Sequence, residues 1–390
     1  MTALRWIAKT LALVLILVGL AATIVPHYLD RLYYEGPESG HYDGQRFFNP
    51  DGDSDTLRMP SRGGRGGFLW RQLTGDDDRP AWPETVAVRQ TRPEQRVEGQ
   101  RMVATWIGHA TVLVQTQGLN ILTDPIYAER AGPFGFGPKR VAAPGVAFDA
   151  LPKIDLVVIS HNHYDHLDQA VLKKLWARDR PLVVTSLGND SVIGQVGVHA
   201  TALDWGREKI IRPGVSVVVT RNHHWGSRWF ADRNRALWSS FVVKLPGGNV
   251  FFAGDTGMGD GRWPEEAAKF GPVRLALLPI GAFRFAPGQM ASGSHVGPPQ
   301  AVQIFERLGA STAIPIHWGT FRLSYEGYDT PPKLLDAAMR CSAARSGSRF
   351  AAVRLGEPVT IGPVVGGAGG RTDDAAMRAC LDTPQVRALR

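Results

Sequence analysis

Three histidines and an aspartate occur within the six residues 161–166, which read His-Asn-His-Tyr-Asp-His. The apolar run 154–159 before them is typical of a short buried strand, and the pattern over 169–178 after them is typical of a helix. The six residues are therefore predicted to form a strand-to-helix loop. Imidazole and carboxylate groups add little to packing in a loop, but they are ligands that zinc prefers. We therefore predict a metal site here.

Metal-compatible residues also follow three other predicted strands, which end near residues 220, 253 and 316. The residues that follow them are His223 and His224, then Asp255, and then His317. The carboxyl ends of strands often meet at one edge of a sheet, and sites are commonly built there. The recurrence predicts that these side chains converge on the loop 161–166.

Seven candidate ligands are too many for one ion, because a tetrahedral zinc site takes three or four ligands. Two ions that share a carboxylate account for all seven. In this interpretation His161, His163 and His224 hold one zinc ion, Asp165, His166 and His317 hold the other, and Asp255 bridges them. Two cations about 3.5–4 Å apart can lower the pKa of a shared water, giving hydroxide near neutral pH, and can clamp a phosphoester. The sequence predicts a hydrolase that needs no serine or cysteine nucleophile.

Two further polar residues, His109 and Asp124, lie near the ends of strands predicted between residues 102 and 123. Taken alone, each is explained as well by a hydrogen-bonded core position as by a role in a site. The Gly/Pro-rich loop 132–144 that follows could act as a lid.

Several motifs together resemble the metallo-β-lactamase fold and, within it, the N-acylphosphatidylethanolamine-hydrolysing phospholipase D family. The motifs are WIGHAT at 106–111, LTDP at 122–125, GPKR at 137–140, HNHYDHLD at 161–168, GDTG at 254–257, LPIGA at 278–282 and PIHWG at 315–319. The resemblance covers roughly residues 100–325. It implies an α/β fold, a four-layer αββα sandwich with a dinuclear zinc centre at one edge. It also implies release of phosphatidic acid and an N-acylethanolamine from a membrane phospholipid.

The resemblance also implies roles for single residues. It favours His224 over His223 as a ligand, because the family's ligand directly precedes a tryptophan. Tyr164 and His295 match positions that contact substrate in the family. Asp124 matches an acidic residue of the family's site, where a carboxylate can orient a ligand imidazole. The implied catalytic carboxylates are Asp124, Asp165 and Asp255.

One stretch departs from the family pattern. After LPIGA the family usually has an aromatic residue and then Glu-Pro-Arg, whereas this chain has Phe-Arg-Phe-Ala-Pro at 283–287. The departure leaves other hydrolases of this fold, acting on a lactone or a soluble phosphodiester, as alternatives. A membrane-anchored zinc-binding protein without activity is a further alternative.

The chain of 390 residues carries a formal charge of +8, but its arginines are scattered through loops. No basic block with interleaved aromatic residues is present, so we expect no nucleic-acid partner. An anionic membrane surface is a suitable partner for such a charge. The two cysteines, Cys341 and Cys380, could form one disulfide in an oxidising compartment, and the sequence does not decide this.

Residues 1–30 contain an uncharged, largely aliphatic run at 10–25, preceded by Arg5 and Lys9. We expect a single-pass membrane anchor with its N-terminus in the cytoplasm and the catalytic domain in the periplasm or outside the cell. A cleaved secretory signal is the alternative, although no A-x-A cleavage site is evident.

The rest of the chain divides by composition into three parts. Residues 31–99 form a Gly/Pro/Arg-rich extension, 100–365 the hydrolase domain and 366–390 a C-terminal tail. Within the extension, 61–67 is expected to be a mobile loop, and residues 68–70 and Trp82 are expected to dock on the domain.

Overall fold

Two seven-stranded sheets occupy the centre of the computed structural model, which describes residues 2–52, 79–229, 231–285 and 289–389. The first sheet contains β1 (Met102–Gly108), β2 (Thr111–Thr116), β3 (Leu119–Thr123), β4 (Leu156–Ile159), β5 (Leu182–Ser186), β6 (Thr201–Leu203) and β14 (Pro358–Ile361). The second contains β7 (Glu208–Arg212), β8 (Val215–Thr220), β9 (Ser240–Lys244), β10 (Asn249–Phe252), β11 (Val273–Pro279), β12 (Thr312–Ile316) and β13 (Arg349–Phe350). The spatial orders are β14-β1-β2-β3-β4-β5-β6 and β13-β12-β11-β10-β9-β8-β7.

Each sheet is antiparallel in one part and parallel in the other. Strands β14, β1, β2 and β3 pair antiparallel, as do β7 to β10, whereas β3 to β6 and β10 to β13 pair parallel. A tight turn joins β2 to β3, and its residues Gln117 and Gly118 both have a positive φ, which suits a two-residue hairpin. Parallel neighbours need longer crossovers, and most of these contain a helix.

Helices cover the outer faces of the two sheets. The helices of the described chain are α1 (Thr2–Leu29), α2 (Gln169–Asp179), α3 (Asn189–Gly194), α4 (Trp263–Ala268), α5 (Pro298–Leu308), α6 (Thr330–Arg340), α7 (Asp374–Leu381) and α8 (Pro384–Arg387), with short 3-10 turns at Pro133–Gly135 and Phe148–Ala150. The apolar sides of α2 and α3 pack on the first sheet, and those of α4 to α7 pack on the second. A third apolar cluster fills the space between the sheets. The predicted αββα sandwich is therefore confirmed.

The predicted strands that precede the site are present with small shifts in their bounds. Strand β1 ends at Gly108 and β2 starts at Thr111, because His109 turns the chain with a φ of 54°. Strands β6 and β7 were not predicted. They are short edge strands, and neither contains a buried residue, so no apolar core pattern marks them in the sequence.

The N-terminal helix α1 is exposed along its whole described length, and its span Ala3–Leu29 is long and apolar enough to cross a membrane. The described segment after it packs on the domain, where Tyr33, Tyr42 and Phe47 bury their rings. Trp82 docks as expected, donating its indole N–H to the carbonyl of Glu326. The expected mobile loop at 61–67 and the docking residues 68–70 lie outside the described residues.

The C-terminal part 366–390, expected to be a tail, contains α7 and α8. Met377 and Leu381 of α7 are buried in the helical layer over the second sheet. A disulfide between Cys341 and Cys380 joins the end of α6 to α7. Apolar burial and the covalent link together hold this segment against the domain.

Candidate metal centre

Six strands deliver polar residues to one edge of the sandwich, two more than the sequence pattern predicted. Strands β4, β8, β10 and β12 lead to the predicted groups, and β1 and β3 add His109 and Asp124. These strands run in the same direction within their sheets, so their carboxyl ends share an edge. Gly254, after β10, allows the close approach, because a Cβ there would lie 2.6 Å from the Cβ of Ser160.

A first group of four donor side chains gathers at this edge. Its donor atoms all lie within 4.8 Å of one another, and its members are His161, His163, His224 and Asp255. His163 Nδ1 lies 2.8 Å from His161 Nε2 and 3.4 Å from His224 Nε2. All three imidazoles and the predicted carboxylate of this half are therefore brought together.

A second group lies beside the first, and two of its imidazoles contact the Asp255 carboxylate of the first group. Its members are His109, Asp165, His166 and His317, again within 4.8 Å of one another. Asp255 Oδ2 is 3.0 Å from His166 Nε2 and also 3.0 Å from His317 Nε2, and it is 4.0 Å from His224 Nε2. Asp255 thus stands between the two groups, where a bridging ligand would stand.

His109 is the member of the second group that sequence reasoning did not assign to the site. Its Nε2 lies 3.0 Å from Asp165 Oδ2, and its side chain is buried. The only sequence signal was a histidine near the end of a strand, which does not separate a core position from a site position.

Asp124 acts behind the donor atoms and does not line the cavity. It is fully buried, accepts hydrogen bonds from the backbone N–H and hydroxyl of Ser160, and its Oδ2 lies 2.7 Å from His166 Nδ1. It thereby fixes the ring of His166 with Nε2 toward Asp255. Likewise, His224 Nδ1 lies 2.9 Å from the carbonyl of Ser294. Outer partners of this kind orient imidazole ligands and raise their basicity.

Three non-glycine residues of the site have left-handed backbones. The φ values are 54° for His109, 27° for Asp124 and 62° for His317. Such conformations are uncommon and persist where surrounding structure holds them. Here the N–H of His109 donates to the hydroxyl of Thr320, and the N–H of His317 donates to the carbonyl of His109. The turns at the strand ends aim these side chains into the cluster.

Burial and charge divide the imidazoles into two kinds. Burial lowers the pKa of His163 to about 4 and, together with neighbouring imidazoles, holds the pKa of His161 and of His224 well below the ordinary value. These rings are neutral at pH 7 and offer the lone pairs that a metal requires. Burial acts against charge on His317 too, but Asp255 and Asp165 outweigh it and raise its pKa to about 9. The carboxylates therefore attract positive charge to the second group.

Several buried polar atoms of the cluster make no hydrogen bond to a described residue. They include Oδ1 of Asp255, Nε2 of His163 and Nδ1 of both His109 and His317. Buried polar atoms without partners are rare in folded proteins and call for an explanation such as an ion. The donor types, their number and these orphaned atoms fit divalent metal ions. Imidazole with carboxylate suits zinc, iron or manganese.

A cavity of about 430 Å³ opens onto the two groups. His163, Asp165 and Asp255 line it on the metal side, and the predicted substrate residues Tyr164 and His295 line its walls. His295 Nδ1 lies 3.9 Å from Asp255 Oδ2. The two residues therefore stand where a substrate would contact them.

Two residues around the cavity were not found from the sequence. The Arg228 guanidinium stacks 3.8 Å from the ring centre of Tyr164 and donates to the carbonyls of Asn162 and Leu167. Buried Glu326 accepts the backbone N–H groups of Ala282 and Arg284. Both depend on contacts between distant segments, which no local motif encodes.

The described part of the departing stretch, residues 283–285, reaches the cavity. Phe285 lines the cavity wall, and residues 286 and 287 lie outside the described part of the chain.

The comparisons with known proteins agree with this geometry. Residues 119–318, half of the chain, match the beta-lactamase superfamily domain. N-acyl-phosphatidylethanolamine-hydrolyzing phospholipase D 1 of Caenorhabditis elegans is 32% identical over 292 residues, 72% of this chain and 82% of that protein. The mitochondrial N-acyl-phosphatidylethanolamine-hydrolyzing phospholipase D of Saccharomyces cerevisiae is 32% identical to this chain. That alignment covers 60% of this chain and 50% of the yeast protein.

The structure of Igni18, a metallo hydrolase from Ignicoccus hospitalis, aligns with a TM-score of 0.51 at 20% identity. The alignment covers 67% of this chain and 99% of Igni18, and it supports the fold alone. The family match and the worm relative go further than the fold. The chain belongs to the beta-lactamase superfamily, as a metal-dependent hydrolase related to the N-acyl-phosphatidylethanolamine-hydrolyzing phospholipases D.

Proposed function

We propose that this protein is a zinc-dependent phospholipase D that hydrolyses N-acylphosphatidylethanolamine-like lipids to phosphatidic acid and an N-acylethanolamine. The observation that carries the proposal is the pair of donor groups that meet at Asp255 on the floor of one cavity. Relatives of the chain in worm and yeast bear this activity in their names.

Two zinc ions are the proposed cofactors. His161, His163 and His224 would hold one ion, Asp165, His166 and His317 would hold the other, and Asp255 would bridge them. The buried Oδ1 of Asp255 makes no hydrogen bond to a described residue, so this carboxylate could interact with a cation. When bound, such a pair of cations supplies an activated water and neutralises charge on a phosphoester.

The chain's own residues would keep this centre in place. Asp124 holds the ring of His166, and His109 holds the carboxylate of Asp165. Asp165 and Asp255 reach the cavity and would act as catalytic residues, whereas Asp124 would act as a positioning residue through His166.

The cavity walls suit a phosphodiester with acyl chains. His295 and Tyr164 present polar groups beside the metal donors, and His295 Nδ1 makes no hydrogen bond to a described residue. Trp225, Phe285 and Leu323 give the rest of the wall an apolar character. In the reaction, the oxygen of water bonds to phosphorus and the P–O bond to N-acylethanolamine breaks. The departing oxygen takes up a proton.

We further propose that α1 anchors the enzyme in a membrane, with the catalytic domain outside the cytoplasm. A helical span of 27 residues is about 40 Å long, and a bilayer core is about 30 Å thick. The Cys341–Cys380 disulfide supports an oxidising compartment. In this scheme residues 31–99, 100–365 and 366–390 are the extension, the hydrolase domain and the C-terminal segment.

The test is to supply the full chain in proteoliposomes with N-acylphosphatidylethanolamine in water enriched in oxygen-18. We expect phosphatidic acid that carries one oxygen-18 atom, together with unlabelled N-acylethanolamine, measured by mass spectrometry. Asp255→Asn should abolish both products, and the control His223→Ala should retain them. Turnover of a lactone or a soluble phosphodiester without any phosphatidic acid would contradict the lipid assignment.

A further inference from the structure

An exposed aromatic loop borders the cavity. Phe134 is 84% exposed and Phe136 is 71% exposed. Within the described chain beyond residue 32, the only other large apolar side chain that is exposed is Ile210. Burial of two phenylalanine rings releases a substantial free energy, so the exposure of both rings in one short loop indicates a contact with something apolar.

The backbone of the loop 132–137 closes at its base and projects its tip. The Ala131 N–H donates to the carbonyl of Pro138, and the Arg130 guanidinium donates to the carbonyl of Gly137. Phe134, at the tip, has a φ of 53°, which non-glycine residues seldom adopt. The loop therefore presents its rings to the outside instead of folding them inward.

The loop is continuous with the mouth of the metal cavity. Gly132, Pro133 and Gly137 line that cavity, so the rings stand at its rim. The Phe134 ring lies 5.7 Å from the ring of Trp229, which extends the apolar rim.

The end of the apolar helix α1 is fixed at the same rim. Asp30, directly after α1, forms ion pairs with Arg46 and Arg235, each at 2.8 Å. Three residues later the hydroxyl of Tyr33 donates to Asp232. Tyr33 and Phe134 then line one small cavity of about 210 Å³ together with Trp229. A bilayer that holds α1 therefore lies next to the aromatic loop.

Positive charge on this face complements anionic lipid headgroups. Arg31 follows α1 and Arg130 precedes the loop, and both side chains are exposed, whereas the exposed Lys139 after the loop pairs with Glu129 at 3.4 Å. Cations near a membrane surface are attracted to anionic lipids.

We propose that the loop 132–137 inserts Phe134 and Phe136 into the bilayer that holds α1, with the metal cavity facing the lipid headgroups. This orientation rests on the proposed function, in which the substrate is a bilayer phospholipid. A substrate molecule could then reach the metal donors while its acyl chains stay in or near the membrane.

The test uses the full chain in vesicles of phosphatidylcholine and phosphatidylglycerol. In separate variants, Phe134→Cys and Phe136→Cys introduce a thiol for an environment-sensitive nitrobenzoxadiazole label, since both native cysteines are paired. We expect the emission of each label to shift to the blue and to be quenched by lipids with a nitroxide on the acyl chain.

Ile210→Cys is the matched control. Ile210 is 71% exposed, like Phe136, but it lies on β7, where the Arg212 side chain contacts the carbonyl of Gln117. That carbonyl belongs to the β2–β3 turn, at the end of the sheet opposite His109. The label at position 210 should keep the emission of a label in water. Emission at positions 134 and 136 equal to that at position 210 would overturn the proposal.

A second measurement separates this proposal from the proposed function. The double variant Phe134→Ser/Phe136→Ser should lose on the order of tenfold in initial rate on vesicle substrate, which corresponds to about 1.4 kcal/mol. Its rate on a soluble phosphodiester such as bis(4-nitrophenyl) phosphate should stay unchanged. If the labels at positions 134 and 136 insert into the bilayer but no phosphatidic acid is released, only the proposed lipid activity is overturned. If the labels stay in water and the double variant keeps full activity on vesicles, only the proposed insertion is overturned.

Discussion

At the residue scale, His223 and His224 are adjacent in the chain but face different surroundings. His224 Nε2 points into the cluster, 3.4 Å from His163 Nδ1. His223 Nδ1 lies 3.1 Å from the carboxylate of Asp51, outside the two donor groups. The two adjacent side chains therefore point away from each other, and only that of His224 reaches the cluster.

His224→Ala is therefore expected to remove a metal-binding group, and His223→Ala is not. In His224→Ala the metal content per chain should fall. Its activity should fall by more than the ~10–100-fold expected for loss of a residue that only orients a metal ligand. The second variant should keep the metal content of the native protein. Inductively coupled plasma mass spectrometry with lipid product analysis measures both, and the reverse pattern would contradict the assignment.

Asp124→Asn should weaken metal binding without emptying the site. The amide keeps the shape of the carboxylate but loses the charge that faces His166 Nδ1 at 2.7 Å. We expect metal affinity to fall by about 10–100-fold, measured by competition with a chromophoric chelator. Ser160→Ala removes the hydroxyl that donates to Asp124 Oδ2 and lies 2.9 Å from His161 Nδ1, so it should lower the metal affinity as well. An unchanged affinity in Asp124→Asn would show that the contact does not support the site.

Single residues were predictable where several metal-compatible types occur close together. The cluster of donors at 161–166 predicts a metal site, whereas a single histidine near a strand end, such as His109, does not. Its left-handed backbone depends on Thr320, which is 211 residues away in the chain. A contact of that kind is set by the tertiary fold, so the sequence alone did not place His109 in the cluster.

At the element scale, the segment between α1 and residue 52 supports the site from outside. The Asn49 amide donates to the carbonyl of His224, and the Trp238 indole donates to the side-chain oxygen of Asn49. Asn49 is buried, so these bonds are shielded from water. The extension thus fixes the backbone of one proposed metal ligand.

Asn49→Ala should lower both stability and metal affinity. A buried polar group that loses its hydrogen-bonding partner lowers the free energy of unfolding by about 1–3 kcal/mol. Loss of a residue that holds a metal ligand in place lowers metal affinity by about tenfold. The matched control is Gln303→Ala, which removes a buried side-chain amide that donates to the carbonyl of Thr372 in the helical layer. The control should lose stability in urea but keep its metal affinity. Equal metal affinity in the two variants would refute the supporting role of Asn49.

The disulfide between Cys341 and Cys380 should stabilise the helical layer and leave the chemistry alone. The cysteines are 39 residues apart, and closing a loop of that length contributes about 4 kcal/mol in the chain-entropy model. Cys341→Ser/Cys380→Ser should lower the urea midpoint and keep the activity per folded molecule. Native protein under reducing conditions should show the same midpoint as the variant. A midpoint that does not move in either case would contradict the prediction.

Elements were predictable where the sequence period was clear. The buried strands β4, β8, β10 and β12 were read from continuous apolar runs, because both faces of each strand are covered. The docking of 31–52 and the packing of α7 were not predicted. Each depends on a few aromatic or apolar residues that meet distant partners, and composition alone does not reveal such contacts.

At the scale of the whole molecule, several features favour one orientation of the enzyme relative to the proposed membrane. The apolar helix α1 leaves the domain beside the aromatic loop, and the metal cavity opens at the same loop. The length and hydropathy of α1 were evident from the sequence. Its position beside the cavity was not, because it depends on the pairing of Asp30 with Arg46 and Arg235.

The central claim is that paired metal ions at the shared Asp255 carboxylate carry out the hydrolysis. The most direct measurement is to remove metal from the full-length enzyme with a chelator and to restore zinc stepwise, following bound zinc and phosphatidic acid release on the same sample. We predict no activity without metal, recovery that is complete at two zinc ions per chain, and neither binding of the second ion nor activity in Asp255→Asn. Full activity in the metal-free enzyme, or an active Asp255→Asn protein with two bound ions, would contradict this account.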